Sequence, residues 1–184
     1  MDTSPLSDSA AEQLFETLFT DQEGDTFKVA DQLATCTQPW VREKLLTLLS
    51  DERYDIQYLA ARAISRMPTR QEVLPQIFEA IHAHQNQGRN GAMVEILEEF
   101  DLSDHFVDIL RLYLFGGFKV LQIAKELLDF TEFDITPRVI KKAEKHWKHY
   151  QNNSPRNDEY EMKRREVEQI FTDLKAMFTE GEME

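Results

Sequence analysis

The chain has 184 residues, 41% of them hydrophobic, which is room for one domain with a sizeable core and too apolar for a disordered chain. Its 34 Asp and Glu against 21 Lys and Arg give a formal charge of −13, which disfavours broad binding to nucleic acid or anionic membranes and fits a basic partner. The single cysteine, Cys36, excludes an internal disulfide, and with no leader-like start and no apolar run of about 18–20 residues a cytoplasmic protein is expected.

Start and stop signals predict ten helices, at 8–22, 25–36, 39–50, 54–67, 70–86, 90–101, 103–115, 118–131, 136–151 and 158–179. Ser9 with Glu12 and Thr69 with Glu72 read as capping boxes. Thr136 before Pro137 reads as an N-cap with proline at the first helical position, and Ser4-Pro5 is a weaker copy. Gly88 and Gly116-Gly117 are breaks. Asn90-Gly91 opens a helical pattern rather than a hairpin, so the fold class is all-α. The short connections make neighbouring helices antiparallel.

The pattern repeats. In Asp55–Ile64 the residues Ile56, Ala60, Ala63 and Ile64, with Met67, form one apolar helical face. Met93, Ile96 and Leu97 take the places of Ala60, Ala63 and Ile64, and Ala124, Leu127 and Leu128 do so again. Leu33, Ile64, Leu97 and Leu128 are the anchors of four two-helix units, a helical-pair solenoid signature.

The stretch from Trp40 to Met67 resembles a HEAT repeat. Asp55, Ile56, Ala60, Ala61, Ala63 and Ile64 match the family's second helix, while Gln57 stands where an arginine is usual. The resemblance is good over 40–68, fair over 70–130 and weak at both ends. It implies a right-handed α-α superhelix (a HEAT-like solenoid) of about five helical pairs, one domain over 1–184. Residues 1–24 and 132–184 are terminal caps in this reading, and 180–184 are expected to be disordered. The second helices would line a concave face.

On that face the repeat places Phe27, Asp31 and Ala34; Tyr58, Arg62 and Ser65; Gly91, Glu95 and Glu98; and Gln122, Glu126 and Asp129. The candidate partner-binding residues are Asp31, Tyr58, Arg62, Glu95, Glu98, Gln122, Glu126 and Asp129, with Tyr58 and Arg62 the strongest. Five acids against one base suit a basic protein surface; the alternative is an ordinary solvated face.

One segment opposes the overall charge. Arg138, Lys141, Lys142, Lys145 and Lys148, interleaved with His146, Trp147 and His149, are followed by Lys163-Arg164-Arg165. This reads as a nucleic-acid site, as a solvated helix with Val139, Ile140, Ala143 and Trp147 facing inward, or as cations offset by the acids at 158–161 or the N-terminus. Phe115 and Phe118 are expected to pack between repeats, with a second contact patch as the alternative.

Catalytic constellations are not found. His82 and His84 diverge on a helix, His146 and His149 lack further ligands, and Cys36 has no histidine near in sequence. The iron-binding His-Glu pairs of HEAT-like deoxyhypusine hydroxylases are missing, and nothing singles out the phycobilin lyases of this build. No metal, cofactor or enzymatic activity is expected. The expected function is an adaptor-like interaction module that binds a basic partner protein on a mildly acidic concave face. An immunity protein against a basic toxin domain and a nucleic-acid-binding protein like the AlkD-type glycosylases are the alternatives.

Overall fold

Local start and stop chemistry sets the helix ends. The structure is a computed structural model that describes residues 6–20 and 25–180. Among these residues every regular element is helical, with no strand, and no helix is long and apolar enough to cross a membrane. The Ser4-Pro5 signal lies outside the described residues. Of the tail at 180–184, Glu180 ends a helix and the rest lies outside them. The chain divides into two compact units, Met1–Asp101 and Leu102–Glu184, where the sequence reading treats 1–184 as one domain.

In Met1–Asp101, Ser7 Oγ accepts from the Ala10 amide at 3.2 Å and opens α1 (Asp8–Thr20), two residues ahead of the expected Ser9 box. Asp25 caps α2 (Thr26–Leu33) by accepting from the Lys28 amide. Pro39 at the first turn starts α3 (Pro39–Leu48), and α4 (Tyr54–Ser65) follows. α1 packs on α2, α3 on α4, and α2 on α4. The fully buried alanines Ala60, Ala61 and Ala63 let neighbours approach α4 closely.

Two predicted helices are shorter than expected. The 70–86 segment is a 3-10 turn (Arg70–Val73), then α5 (Leu74–His82), then a second 3-10 turn (His84–Asn86). Thr69 makes no side-chain cap bond. α5 ends at His82 because two side chains take its last carbonyls: Asn86 Nδ2 donates to Ala80 O at 2.8 Å and Asn90 Nδ2 to Ile81 O at 2.9 Å. The 90–101 segment is α6 (Gly91–Glu95) continued by a 3-10 turn (Ile96–Glu99). Its end is held by Arg70 Nε, which donates to Glu99 O, and by Gln71, which bonds both backbone groups of Asp101.

Gln57 is fully buried. Its Nε2 donates to Asp51 O, and its Oε1 accepts from the buried Asn86 Nδ2 at 2.6 Å. Each buried amide thus finds a partner in the other. The anchors Leu33, Ile64 and Leu97 are buried as expected.

In Leu102–Glu184, a 3-10 turn (Ser103–His105) leads into α7 (Phe106–Phe115), which packs on α8 (Phe118–Phe130) and α9 (Pro137–Asn153). Thr136 Oγ1 accepts from the Val139 amide and caps α9, as read from sequence. α10 (Asp158–Glu180) contacts α9. Trp147, Tyr150 and Tyr160 stack with ring centroids 5.8–6.4 Å apart. Lys163, read as part of a basic run, is instead 1% exposed. Its Nζ donates to Leu114 O at 2.9 Å, near the C-terminal end of α7, where a cation meets the negative end of the helix dipole. The anchor Leu128 is only half-buried; Ala124 and Leu127 take the core positions of α8.

Candidate protein-interaction surface

The 31-residue spacing brings two of the predicted stripes together. Phe27 and Asp31 lie one turn apart on α2; Tyr58 and Arg62 lie one turn apart on the adjacent α4. Arg62 grips Asp31 with two parallel bonds, Nε to Oδ1 and Nη2 to Oδ2, each 3.0 Å. Arg66 Nη1 also reaches Asp31 Oδ1. The Arg62 guanidinium lies 5.1 Å from the Phe27 ring, and Phe27 meets Tyr58 edge to face at 6.1 Å.

The result is an ordered aromatic and arginine cluster at the surface. Phe27 is 49% exposed, while Tyr58, Arg62 and Asp31 are half-buried. Burial pulls the Asp31 carboxyl upward, but the hydrogen bonds from Arg62 and Arg66 outweigh it and hold its pKa below the ordinary carboxylate value. Arg62, bonded to Asp31, is pushed further up. The far end of the stripe does not face solvent: Ala34 and Ser65 are buried, and Ser65 Oγ donates to Arg62 O at 3.0 Å. At 100° per residue the three positions of each stripe stay within about 60°, so the far end is buried by packing rather than by rotation of the stripe.

Sequence reasoning missed Arg66, which lies one turn beyond Arg62 and so could have been found as the next residue of the same row. It also missed the pair next to Tyr58, in which the Arg89 guanidinium lies 5.1 Å from the ring of Tyr54. Burial raises the Tyr54 pKa, and among the further contributions are the charges of Arg89 and Glu95. Glu95 ends α6 and Glu98 lies in the 3-10 turn after it; both are exposed, while Gly91 is buried. Asp31 is therefore not a bare acid, and the cluster around it is mixed in sign.

In Leu102–Glu184, Gln122, Glu126 and Asp129 are all exposed on one face of α8, with Val120, Ala124 and Leu127 inward. Asp129 is paired with Lys125. Phe118 is 77% exposed and does not pack between helices as expected, whereas Phe115 lies against His149 and Tyr150.

Cys36 is buried, and burial pushes its thiol up, away from nucleophilic character. Among the described residues no group of three or more His, Cys, Asp or Glu side chains is placed to hold a metal ion. The chain was compared with protein-family models, curated proteins and solved structures, and none matches.

Proposed function

We propose that this chain is a non-enzymatic interaction module, and that Met1–Asp101 is built of HEAT-like helical pairs that bind a partner protein with a basic surface. Two packing relations support the repeat reading: α2 lies against α4, and α4 against α6, as second helices of successive pairs do in such stacks. The observation that carries the functional reading is the Phe27–Tyr58–Arg62–Asp31 cluster. It offers aromatic and arginine contact area that is already ordered, so docking costs little side-chain entropy.

Charge supports the choice of partner. Residues 1–101 hold 18 of the 34 acidic residues and eight of the 21 basic ones, a formal −10. Such a surface accelerates encounter with a basic patch. An adaptor and an immunity protein would both use it, and the identity of the partner separates them.

The test is affinity capture from a lysate of the source organism with three baits: wild type, Phe27→Ala with Tyr58→Ala, and Glu95→Lys with Glu98→Lys. Circular dichroism checks that each is folded. A basic protein held by wild type and lost from both variants is the expected result. Equal recovery on all three baits would remove this surface from consideration.

A further inference from the structure

The helix α9 carries a cationic face that the folding of its own unit does not use. Ile140, Ala143, Trp147 and Tyr150 are buried on one side. Arg138, Lys141, Lys142, Lys145 and Lys148 are all exposed. At 100° per residue these five fall within an arc of about 120°. At 1.5 Å per residue they span about 15 Å along the axis.

Their charge is uncompensated. Among the described residues none of the five forms an ion pair, and four acids of α9 and α10 are engaged with other cations. Glu144 pairs with Lys175 at 2.6 Å, Glu159 with Lys163 at 2.7 Å, and Glu161 and Glu168 with Arg164. The acids at 158–161 thus do not offset α9 in the way the sequence suggested for Glu159 and Glu161. Like charges three and four residues apart repel, and Arg138 and Lys141 sit at the end of the helix whose dipole disfavours cations. Stability therefore argues against this arrangement.

The face also ends on apolar surface. His149, exposed at the C-terminal end of the row, lies 5.9 Å from the ring of Phe115. Phe115 is 49% exposed, and Phe118, three residues on, is 77% exposed.

We infer that this face of α9 docks a short acidic segment of a partner protein: about ten to twelve residues, with at least three carboxylates within about 15 Å and an apolar side chain at one end for Phe115 and Phe118. The size of the stripe selects this occupant. A duplex or a bilayer extends well past 15 Å, onto the rest of a unit in which residues 102–184 carry 16 acids against 13 bases. Trp147, the side chain that would stack on a base, is 7% exposed and turned inward. A short acidic helix meets the stripe alone.

The test uses the full chain and fluorescence anisotropy. One labelled probe is a 14-residue helical peptide with Glu spaced at i, i+4 and i+7 and a terminal Phe; a second has Gln for each Glu. A 14-nucleotide single-stranded DNA and vesicles containing anionic lipid are the other arms. Lys141→Glu with Lys145→Glu and Lys148→Glu removes the stripe. Lys28→Glu with Arg53→Glu and Arg165→Glu changes net charge equally at exposed positions off α9. Circular dichroism checks both variants. The Glu peptide should bind at 50 mM salt, weaken at 300 mM, and lose at least about tenfold in affinity on the α9 variant but not on the control. Equal loss on both variants, no binding at 50 mM salt, binding of the Gln peptide as tight as the Glu peptide, or tighter binding of DNA or vesicles would each overturn the inference.

Discussion

The buried amide pair of Gln57 and Asn86 makes the sharpest structural prediction. Both side chains are fully buried. Asn86 Nδ2 spends one hydrogen on Gln57 Oε1 and the other on Ala80 O, so its donor capacity is filled. Gln57→Leu keeps the volume close but leaves one Asn86 N–H buried without a partner. An orphaned buried donor costs about 1–3 kcal/mol, and the lost hydrogen bond adds about 1 kcal/mol. Asp51 O also loses its donor, but Asp51 is half-exposed and water replaces it. We expect a loss of about 2–3 kcal/mol. Asn86→Ala should cost a similar amount, since it orphans Gln57 Oε1 and releases the end of α5. The double variant incurs the shared penalty once, so the two changes should couple by about 1–2 kcal/mol. Urea unfolding in a Trp147→Phe background, followed by Trp40 fluorescence, reports on Met1–Asp101 alone. Coupling below about 0.3 kcal/mol would refute the claim that these two buried amides depend on one another.

Three further outcomes follow from single contacts. A methyl group on Gly116 would stand 2.3 Å from Val120 Cγ1 and 2.5 Å from Leu112 O, so Gly116→Ala should destabilise by about 2 kcal/mol or more; Gly117→Ala meets nothing within 4 Å and should stay within about 0.5 kcal/mol. Lys163→Met strips the partner from Leu114 O and should cost about 1–3 kcal/mol, whereas Glu159→Gln, at the exposed end of the same ion pair, should cost under about 0.5 kcal/mol; Trp147 fluorescence in a Trp40→Phe background reads both pairs. Because the folded-state pKa of Asp31 lies below its ordinary 3.8, its contribution to stability is complete above that value and is lost as pH falls through the lower one. Asp31→Asn should therefore flatten the acid limb of a stability–pH profile, and an unchanged limb would contradict the ion-pair assignment.

Much of this arrangement is legible in the sequence because it rests on periodicity. Apolar spacing and the Thr136-Pro137 signal place α8, α9 and α10 within two residues of their ends. The 31-residue offset that pairs Leu33 with Ile64 also pairs Phe27 with Tyr58 and Asp31 with Arg62, and both surface pairs are in contact. What periodicity does not carry is the destination of long polar side chains. Asn86 is the last residue of the helix predicted over 70–86, yet its side chain folds back onto α5 and Gln57. Lys163 heads a run of three cations, but its ammonium lies 5.9 Å from the Tyr113 ring and 5.3 Å from the Tyr150 ring and donates to Leu114 O. The shortened 90–101 helix has the same origin: Arg70 and Gln71 bind its final carbonyls from a distant part of the chain. Such contacts follow from tertiary packing, which residue spacing alone does not encode.

The two proposed surfaces are opposite in sign, and this permits a test that salt titration cannot provide. Binding of a basic partner to Met1–Asp101 and of an acidic segment to α9 would both weaken as salt rises, since both are screened alike. Charge reversal separates them. If binding depends on local contacts, Glu95→Lys with Glu98→Lys weakens only the basic partner. Lys141→Glu with Lys145→Glu and Lys148→Glu then weakens only the acidic peptide. If net charge governs instead, each set acts on both ligands in opposite directions: the lysine substitutions would weaken the basic partner and tighten the acidic peptide, and the glutamate substitutions the reverse. Exposed ion pairs contribute about 0.2–1 kcal/mol each, so the local outcome should appear as several-fold to about tenfold changes confined to one ligand. Reciprocal changes in both ligands would show that the chain acts through its overall field, and neither surface would then count as a site.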